Sequence, residues 1–373
     1  MNPSDDNLLY RIALSLIPGI GCVTAKKIVA YVGSVEGVFR EKKQAFARIP
    51  GVGEVYTGKM TGRKEALEKA EKEIQFIRKY AIGTYFYLDK QYPARLKHCN
   101  DAPVLLYYLG NPDFSNTKTI SIVGTRSATS RGKEICTSLV RELAARGHNP
   151  MVVSGLAYGI DVTAHKAALE NNLQTVAVLG HGLDKMYPSV HSVIAKNITD
   201  SGGLITEFAS SDKFDKQNFL RRNRIIAGLA DAVIVVESGL KGGALVTADI
   251  ASSYNRDVFA VPGRIGDRYS AGCNRLIKTN KAALIENADD LEYQLGWERK
   301  TGHSVPRQKQ LFVELSDEEK KLFNIISEAG KIEIDRIGLY AELPVSKVSY
   351  ILLNLEFKGL IKTIPGNMYT PMS

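Results

Sequence analysis

The sequence predicts an α/β protein in which a parallel sheet is covered by helices on both faces. Short apolar runs rich in β-branched residues follow one another through the middle of the chain. Each run ends at a loop, usually one that contains glycine, and a helical stretch follows it. Continuous apolar strands that alternate with helices are typical of a parallel sheet buried on both faces.

The predicted strands span residues 119–123, 151–154, 175–179, 204–207, 232–237 and 258–261. In sheets of this kind, ligands bind beyond the carboxyl ends of the strands, where the connecting loops converge. The segment 213–228, which follows the fourth predicted strand, is therefore expected at the functional edge of the sheet.

Segment 213–228 combines several cations with an aromatic ring. Around Phe219 it carries Lys213, Lys216, Arg221, Arg222 and Arg224. Single-stranded nucleic acid is bound by such a combination, because cations attract phosphates and a flat ring stacks on a base. A solvated basic loop whose phenylalanine packs into the core is the alternative, and the position at the sheet edge favours the nucleic-acid interpretation.

The remaining loops carry phosphate-binding chemistry rather than catalytic motifs. Residues 124–132 contain hydroxyl side chains together with Arg126 and Arg131. Hydroxyls and arginines at the start of a helix suit phosphodiester oxygens. The same residues contain no GxGxxG fingerprint. Asp161 and His165 lie one helical turn apart, and His181 and Asp184 share a loop, but both pairs are more typical of structural contacts. No nucleophile elbow, metal motif or paired carboxylates are present, so we expect no enzyme, cofactor or metal.

Two similar hairpins organise residues 1–80, which we predict to be a helical domain. Residues 17–21 read IPGIG and residues 49–53 read IPGVG, and lysines follow both. Paired glycines permit tight turns and direct free amides at a helix start, where a phosphate binds well. The duplication resembles tandem helix-hairpin-helix (SAM-like) units, which contact DNA backbones, although a packing or protein-contact role stays open.

The end of the sequence predicts a linker at 297–315 and a winged-helix domain at 316–373. Residues 316–319 form a capping box, two further helical runs follow, and residues 359–364 and 368–370 flank a Pro-Gly-Asn turn like a wing. This domain holds seven basic against eight acidic residues. A protein-contact or accessory role is therefore favoured over the reading of duplex DNA.

Bulk composition agrees with a nucleic-acid partner. The 373 residues carry a formal net charge of +9, which suggests a polyanionic ligand. The four cysteines show no metal-ligand or CxxC spacing, which fits a reducing compartment. No apolar stretch reaches membrane-spanning length. We expect a cytoplasmic protein without a membrane partner.

Several long motifs resemble the DNA-processing protein A (DprA, or Smf) family. They are residues 92–128, VSGLAYGIDVTAH at 153–165, AVLGHGLDKMYP at 177–188, FLRRNRIIAG at 219–228, GGALVTA at 242–248 and VFAVPG at 258–263. The resemblance implies an extended Rossmann-like core at 81–296, flanked by the helical and winged-helix domains. It also implies a homodimer that binds single-stranded DNA and loads the RecA recombinase in natural transformation, with no established enzymatic activity.

The resemblance also implies site residues. For nucleic acid they are Gly124, Arg126, Ser127, Gly155, Lys216, Phe219, Arg221, Arg222, Asn223, Arg224 and Gly243, and for the dimer Cys273, Asn274, Leu276, Ile277 and Ala283. The chain departs from the family pattern at Thr125, His191, Leu220, Gly242 and Ala244. None of these departures removes a cation or the stacking ring.

Two competing functions stay open at this point. One is a nucleotide-phosphate or ribosyl hydrolase that uses the same crevice, with Glu207, Asp161 or His165 as acid or base. The other is a structural adaptor that acts through its two end domains. The hydrolase is disfavoured by the lack of paired carboxylates and by the many cations beside an aromatic ring.

Overall fold

The computed structural model describes residues 5–52, 58–115, 118–297, 315–364 and 368–371. The chain divides into two compact units, residues 1–300 and 301–373. The predicted linker at 297–315 lies almost wholly outside the described residues. The predicted boundary at 80/81 falls inside the first unit and stays a prediction.

Within the described residues, a nine-stranded sheet organises the first unit, in the order β1-β2-β6-β5-β4-β3-β7-β8-β9. The strands are β1 Gly83–Phe86, β2 Leu105–Gly110, β3 Thr119–Val123, β4 Met151–Ser154, β5 Thr175–Val178, β6 Gly203–Thr206, β7 Ala232–Val235, β8 Asp257–Ala260 and β9 Ala283–Leu284. From β6 to β9 all neighbouring pairs are parallel, whereas β2 runs antiparallel to both β1 and β6.

All six predicted strands are present: β3 and β4 have the predicted ends, and the other four have ends shifted by one or two residues. The sequence analysis missed the outer strands β1, β2 and β9. The two antiparallel strands join the sheet through long-range pairing that no local pattern specifies, and β9 is only two residues long.

Helices cover both faces of this sheet, as the apolar strands predicted. They are α6 Ala94–Lys97, α7 Ser130–Ala145, α8 Ile160–Glu170, α9 Ser192–Ser201, α10 Lys216–Leu229, α11 Gly243–Ser253, α12 Ala271–Lys278 and α13 Ala288–Leu295. Successive strand residues enter different clusters: Val153 packs with Ile226 of α10, whereas Val152 packs with Leu139 of α7. This alternation follows from the two-residue period of a strand.

Helices also form the beginning of the chain, which confirms the helix-hairpin-helix prediction. They are α1 Asp5–Leu16, α2 Cys22–Val32, α3 Val35–Arg40, α4 Lys43–Ala47 and α5 Arg63–Lys79. Gly19 and Gly51 have φ values of +71° and +76°, so both hairpins turn through the left-handed region that favours glycine. The helices share a hydrophobic cluster with Phe86 and Tyr107, so they pack directly against the antiparallel edge of the sheet.

The second unit is a winged helix, as predicted. It contains α14 Asp317–Ala329, β10 Ile332–Glu333, α15 Ile334–Ala341, α16 Val345–Phe357, β11 Ile361–Ile364 and β12 Met368–Pro371, and its strands pair in the order β10-β12-β11. Ser316 and Glu319 form the predicted capping box. The predicted wing turn at 365–367 lies outside the described residues.

Candidate nucleic-acid interface

A cleft of about 270 Å³ opens at the carboxyl ends of β3 and β7. The chain adds β4, β5 and β6 on one side of β3 and then returns to place β7 on its other side. The loops after β3 and β7 therefore diverge at this point, which is where open α/β sheets bind ligands. The cleft is closed by the beginning of α10, the helix that crosses back from β6 to β7.

Many of the predicted site residues line this cleft. They are Gly124, Arg126, Lys216, Phe219, Arg222, Asn223 and Gly243. Ser127, Gly155, Arg221 and Arg224 do not line it. The structure thus brings together residues from the loop after β3, the first turns of α10 and the start of α11.

Arg126 and Lys216 are exposed cations that line the cleft with the half-buried ring of Phe219, and the exposed Lys241 also lines it. The Arg126 guanidinium carbon lies 5.8 Å from the centre of the Phe219 ring, within the range of a cation–π contact. The Asp215 side chain caps α10 by accepting a hydrogen bond of 2.8 Å from the Gln217 amide, which fixes the first turn of this helix. The two cations therefore stand at the rim of a surface that an aromatic ring partly covers.

Phe214 and Tyr187 extend the aromatic surface, and the sequence analysis missed both as site residues. The ring centres lie 5.0 Å apart for Tyr187–Phe214, 5.7 Å for Tyr187–Phe219 and 5.5 Å for Phe214–Phe219. Phe214 is 45% exposed and Tyr187 44% exposed. Phe214 belongs to the same basic segment as Phe219, so its position in the sequence was the available signal.

His181 and Gly180 hold this aromatic cluster in place. The Tyr187 amide donates to His181 Nε2 over 3.2 Å, while His181 Nδ1 donates to the Gly182 carbonyl over 2.8 Å. A Cβ atom at Gly180 would lie 2.8 Å from Phe219 Cδ1, so only glycine permits this approach of the ring to the loop after β5. His181 therefore serves as an internal support here.

Arg222 points into the protein rather than into solvent, with only 3% of its surface exposed. Its Nη1 donates to the Gly155 carbonyl over 2.7 Å and also to the Val178 carbonyl. Burial lowers the pKa of Arg222 to about 10, and the neighbouring Asp161 opposes this shift. Arg222 thus ties α10 to the carboxyl ends of β4 and β5.

Asn223 is also buried and joins α10 to α11. Its amide nitrogen donates to the Gly243 carbonyl over 3.3 Å, and its carbonyl oxygen accepts from Arg222 Nε over 3.3 Å. Arg224 forms an ion pair with Glu207 and donates to the Asp101 carbonyl over 2.7 Å. Arg221, in contrast, is exposed and lies over the Phe208 ring.

The acid and base candidates of the hydrolase hypothesis are all held by internal contacts. The Thr175 hydroxyl donates its proton to the Val152 carbonyl. The same hydroxyl oxygen lies 2.7 Å from His165 Nδ1, so it must accept a hydrogen bond from that nitrogen. Burial and the nearby Arg222 lower the pKa of His165 to about 3. Burial raises the pKa of the Asp161 carboxyl, with Arg222 opposing the shift. His165 is therefore enclosed by the protein, whereas Asp161 is 7% exposed and lines the cleft.

The predicted dimer segment is only partly at the surface. Cys273 and Leu276 are buried in the core of their own chain, because the apolar side of α12 packs against the sheet. Asn274 exchanges two hydrogen bonds with the Gly263 backbone. Ile277 and Ala283 are half-buried, and their role at a dimer interface stays a prediction.

Within the described parts of the chain, no group of three or more His, Cys, Asp or Glu side chains could hold a metal ion. Among the same residues, no helix combines the length and apolar character needed to cross a membrane. The four cysteines are free thiols.

Comparison with known proteins assigns all three regions. Residues 83–296 match the family described as DNA recombination-mediator protein A, residues 306–367 the DprA winged helix domain, and residues 12–55 the SAM-like helix-hairpin-helix tandem. Protein Smf of Synechocystis sp. is 32% identical over 396 residues, which cover 96% of this chain and 98% of that protein.

Two solved structures agree with this assignment. DNA processing protein A from Streptococcus pneumoniae is 33% identical with a TM-score of 0.66, and the match covers 77% of this chain and 97% of that one. DNA processing protein A from Helicobacter pylori, whose structure concerns its single-stranded DNA binding mode, is 29% identical with a TM-score of 0.52. That match covers 58% of this chain and 96% of the other.

Proposed function

The chain belongs to the DNA recombination-mediator protein A family, and on this premise we propose that it binds single-stranded DNA without sequence preference. We further propose that it acts as a homodimer that protects incoming DNA and loads the RecA recombinase in natural transformation. Members of this family are DNA-processing proteins, and the H. pylori relative binds single-stranded DNA.

The observation that carries the DNA-binding proposal is the convergence of Arg126, Lys216 and Phe219 at one cleft on the ligand edge of the sheet. The two cations attract phosphates, and the cluster of Phe219, Phe214 and Tyr187 offers stacking faces. Stacking is tolerant of sequence because every base has a flat face. The cleft therefore suits a single strand of any sequence.

Arg222, Asn223 and Arg224 act in this proposal as positioning residues. Their hydrogen bonds end on backbone carbonyls and on Glu207, so they fix the first turns of α10. Lys216 and Phe219 are presented by those turns. Contact with DNA is thus assigned to the exposed cations and rings.

A homodimer is supported by the free end of the sheet. β9 is the last strand in the order, and its Leu284 is exposed. An exposed edge strand offers unpaired backbone groups and an apolar side chain to a second copy. RecA loading is inferred from family membership.

The hydrolase alternative is weakened by the complete burial of His165 and by the ion pair between Glu207 and Arg224. Thermal unfolding with added ligands separates the two functions. The DNA-binding proposal predicts stabilisation by oligonucleotides. Stabilisation by micromolar mononucleotide, with none by oligonucleotides, would favour the enzyme.

The direct test is single-strand affinity at several salt concentrations for Phe219→Ala and Lys216→Ala. Loss of one stacked base costs about 1–3 kcal/mol, so Phe219→Ala should weaken binding roughly ten- to hundredfold. Lys216→Ala should reduce the slope of log affinity against log salt by about 0.7, the contribution of one phosphate in a single strand.

Lys196→Ala is the matched control, since it removes an exposed lysine from α9 that does not line the cleft. It should leave affinity and salt slope nearly unchanged. Folded Phe219→Ala and Lys216→Ala proteins that bind like the unmodified protein would rule out the proposed cleft.

A further inference from the structure

The loop after β4 carries an aromatic ring that does not line the proposed cleft. This loop, residues 155–159, lies between the loops after β3 and β5, because β4 is the strand between them in the sheet. Neighbouring strands are about 4.8 Å apart, so the loop adjoins both the loop that carries Arg126 and the loop that carries Tyr187. Its Tyr158 is 47% exposed. The ring is therefore open to solvent at the ligand edge of the sheet.

The two residues that flank Tyr158 both reach the cleft. Ala157 on one side lines it. Gly159 on the other side packs against the loop after β3: a Cβ atom there would lie 2.2 Å from the Thr125 carbonyl oxygen and 2.7 Å from that of Arg126. With a φ of +76° as well, only glycine permits this approach. Tyr158 is thus fixed at the border of the cleft, beside the backbone of Arg126.

His191 supports the ring of Tyr158. The two rings meet edge to face, with 5.1 Å between their centres and 62° between their planes. His191 is only 7% exposed, and its Nδ1 donates to the Leu156 carbonyl over 2.8 Å. Leu156 has a φ of +56°, a strained conformation for a residue other than glycine that persists only where surrounding contacts hold it. His191 therefore supports both the ring and the turn that precedes it.

The segment that contains His191 also carries a ring of the cleft. His191 and Tyr187 both belong to the connection from β5 to α9, and Tyr187 packs in the aromatic cluster described above. Tyr158 is accordingly tied to the cleft from two sides, through Gly159 to the loop of Arg126 and through His191 to the loop of Tyr187.

Acidic residues also follow β4 and β5, and each has a cationic partner. Asp161 lines the cleft, where the positive charge of Arg222 acts on it. Asp184 pairs with Lys185, with 3.2 Å between Oδ2 and Nζ. The phosphates of a strand that reaches Tyr158 therefore meet these carboxylates together with their cations.

We propose that Tyr158 forms a further nucleotide subsite, in which its ring stacks on a base of the strand bound in the cleft. This base lies beyond the one held at Phe219 and Arg126, on the side of β4, and His191 is the positioning residue of the ring. Stacking tolerates any base, so the subsite lengthens the bound strand without a sequence preference. This inference rests on the proposed binding of single-stranded DNA and adds to it the direction in which the strand leaves the cleft.

Tyr158→Ala removes the stacking ring, and Tyr158→Phe keeps the ring but removes the hydroxyl. Tyr80→Ala is the matched control, since Tyr80 is 51% exposed and also packs on a neighbouring ring, that of Phe76, at 4.8 Å. Tyr80 precedes β1, which runs in the same direction as β6, so it lies toward the opposite edge of the sheet. Affinity is measured for oligothymidylates of increasing length.

Tyr158→Ala should weaken the binding of oligonucleotides that extend past the cleft roughly tenfold, the loss of one stacked base, and leave the shortest ones that bind unaffected. The slope of log affinity against log salt should not change, because no charge is removed. Tyr158→Phe and Tyr80→Ala should bind like the unmodified protein. Equal affinities of Tyr158→Ala and Tyr80→Ala at every length, or a loss by Tyr158→Ala that is the same at every length, would overturn the proposal.

His191→Asn tests the positioning role. The new amide can still donate to the Leu156 carbonyl, whereas the ring contact is lost, so long oligonucleotides should bind more weakly. Combining it with Tyr158→Ala should then cause no further loss, because both changes remove the same stacked ring. Losses that add would show that His191 acts without Tyr158. If this variant fails to fold, the comparison of Tyr158→Ala with Tyr158→Phe decides on the subsite.

Phe219→Ala separates this inference from the proposed function. Normal binding by Phe219→Ala refutes the DNA cleft. Weak binding by Phe219→Ala, together with normal binding by Tyr158→Ala at every length, refutes only the further subsite.

Discussion

Replacing Arg222 with alanine tests whether the cations of segment 213–228 have separate tasks. The guanidinium of Arg222 is buried and donates to the Gly155 and Val178 carbonyls, at the ends of β4 and β5. Asp161 is buried close by and interacts with the same charge. The substitution therefore removes a structural donor and leaves Lys216 and Phe219 chemically intact.

The magnitude follows from the groups left behind. A buried carbonyl that loses its donor costs about 1–3 kcal/mol, and two are affected here. The buried Asp161 carboxyl also loses a nearby positive charge that opposes the rise of its pKa. Since these contributions overlap, Arg222→Ala should lower the free energy of unfolding by about 3–5 kcal/mol. Lys216→Ala removes an exposed lysine and should change it by less than about 0.5 kcal/mol.

Fluorescence of the single tryptophan provides the assay. Trp297 packs beside His148 in the first unit, with 5.4 Å between ring centres, so urea unfolding followed at this residue reports on that unit. Single-strand affinity is measured in parallel below the unfolding transition. An Arg222→Ala protein as stable as the unmodified one but with lost affinity would show that Arg222 contacts DNA, and the reasoning from burial would be wrong.

Three further predictions concern other parts of the molecule. Burial lowers the pKa of His165 to about 3 from an ordinary 6.5. At a pH between these two pKa values, His165 takes up a proton only in the unfolded chain. The free energy of unfolding should then fall by about 1.4 kcal/mol per pH unit as the pH drops below about 6.5. In urea titrations at several pH values, His165→Asn should make the free energy of unfolding depend less on pH. Phe214→Ala should weaken single-strand binding about tenfold in fluorescence anisotropy, with unchanged salt slope, because it removes a stacking face and no charge. Lys347→Ala should leave duplex affinity in gel shifts unchanged, because this lysine of α16 pairs with Glu318; a clear loss would assign α16 to DNA.

The basic segment shows how far local pattern reaches. Its composition and its place after a predicted strand indicated a ligand site at the sheet edge, and the family resemblance selected Lys216 and Phe219, which both line the cleft. Composition did not separate Arg221, which is exposed, from Arg222, which is buried, and Arg224, which is partly buried in its ion pair with Glu207. All three arginines lie within one turn of α10. Whether each side chain points into the protein or into solvent depends on the residues of the sheet that pack against this helix.

The aromatic cluster depended on tertiary structure in the same way. Tyr187 and Phe219 are far apart in sequence, and their rings lie 5.7 Å apart because the loop after β5 meets the start of α10. Likewise, Cys273 and Leu276 share a segment with Ile277, but only the packing of α12 shows which side chains face the core.

The sequence by itself determined the six central parallel strands, the character of both end domains and the family, because apolar periodicity, glycine turns and ordered motifs are local properties of the chain. The tertiary structure decided the antiparallel edge of the sheet, the meeting of Arg126 with Phe219, and the burial of Arg222 beneath α10. These features depend on contacts between residues far apart in sequence, and such contacts form only when the whole sheet is assembled.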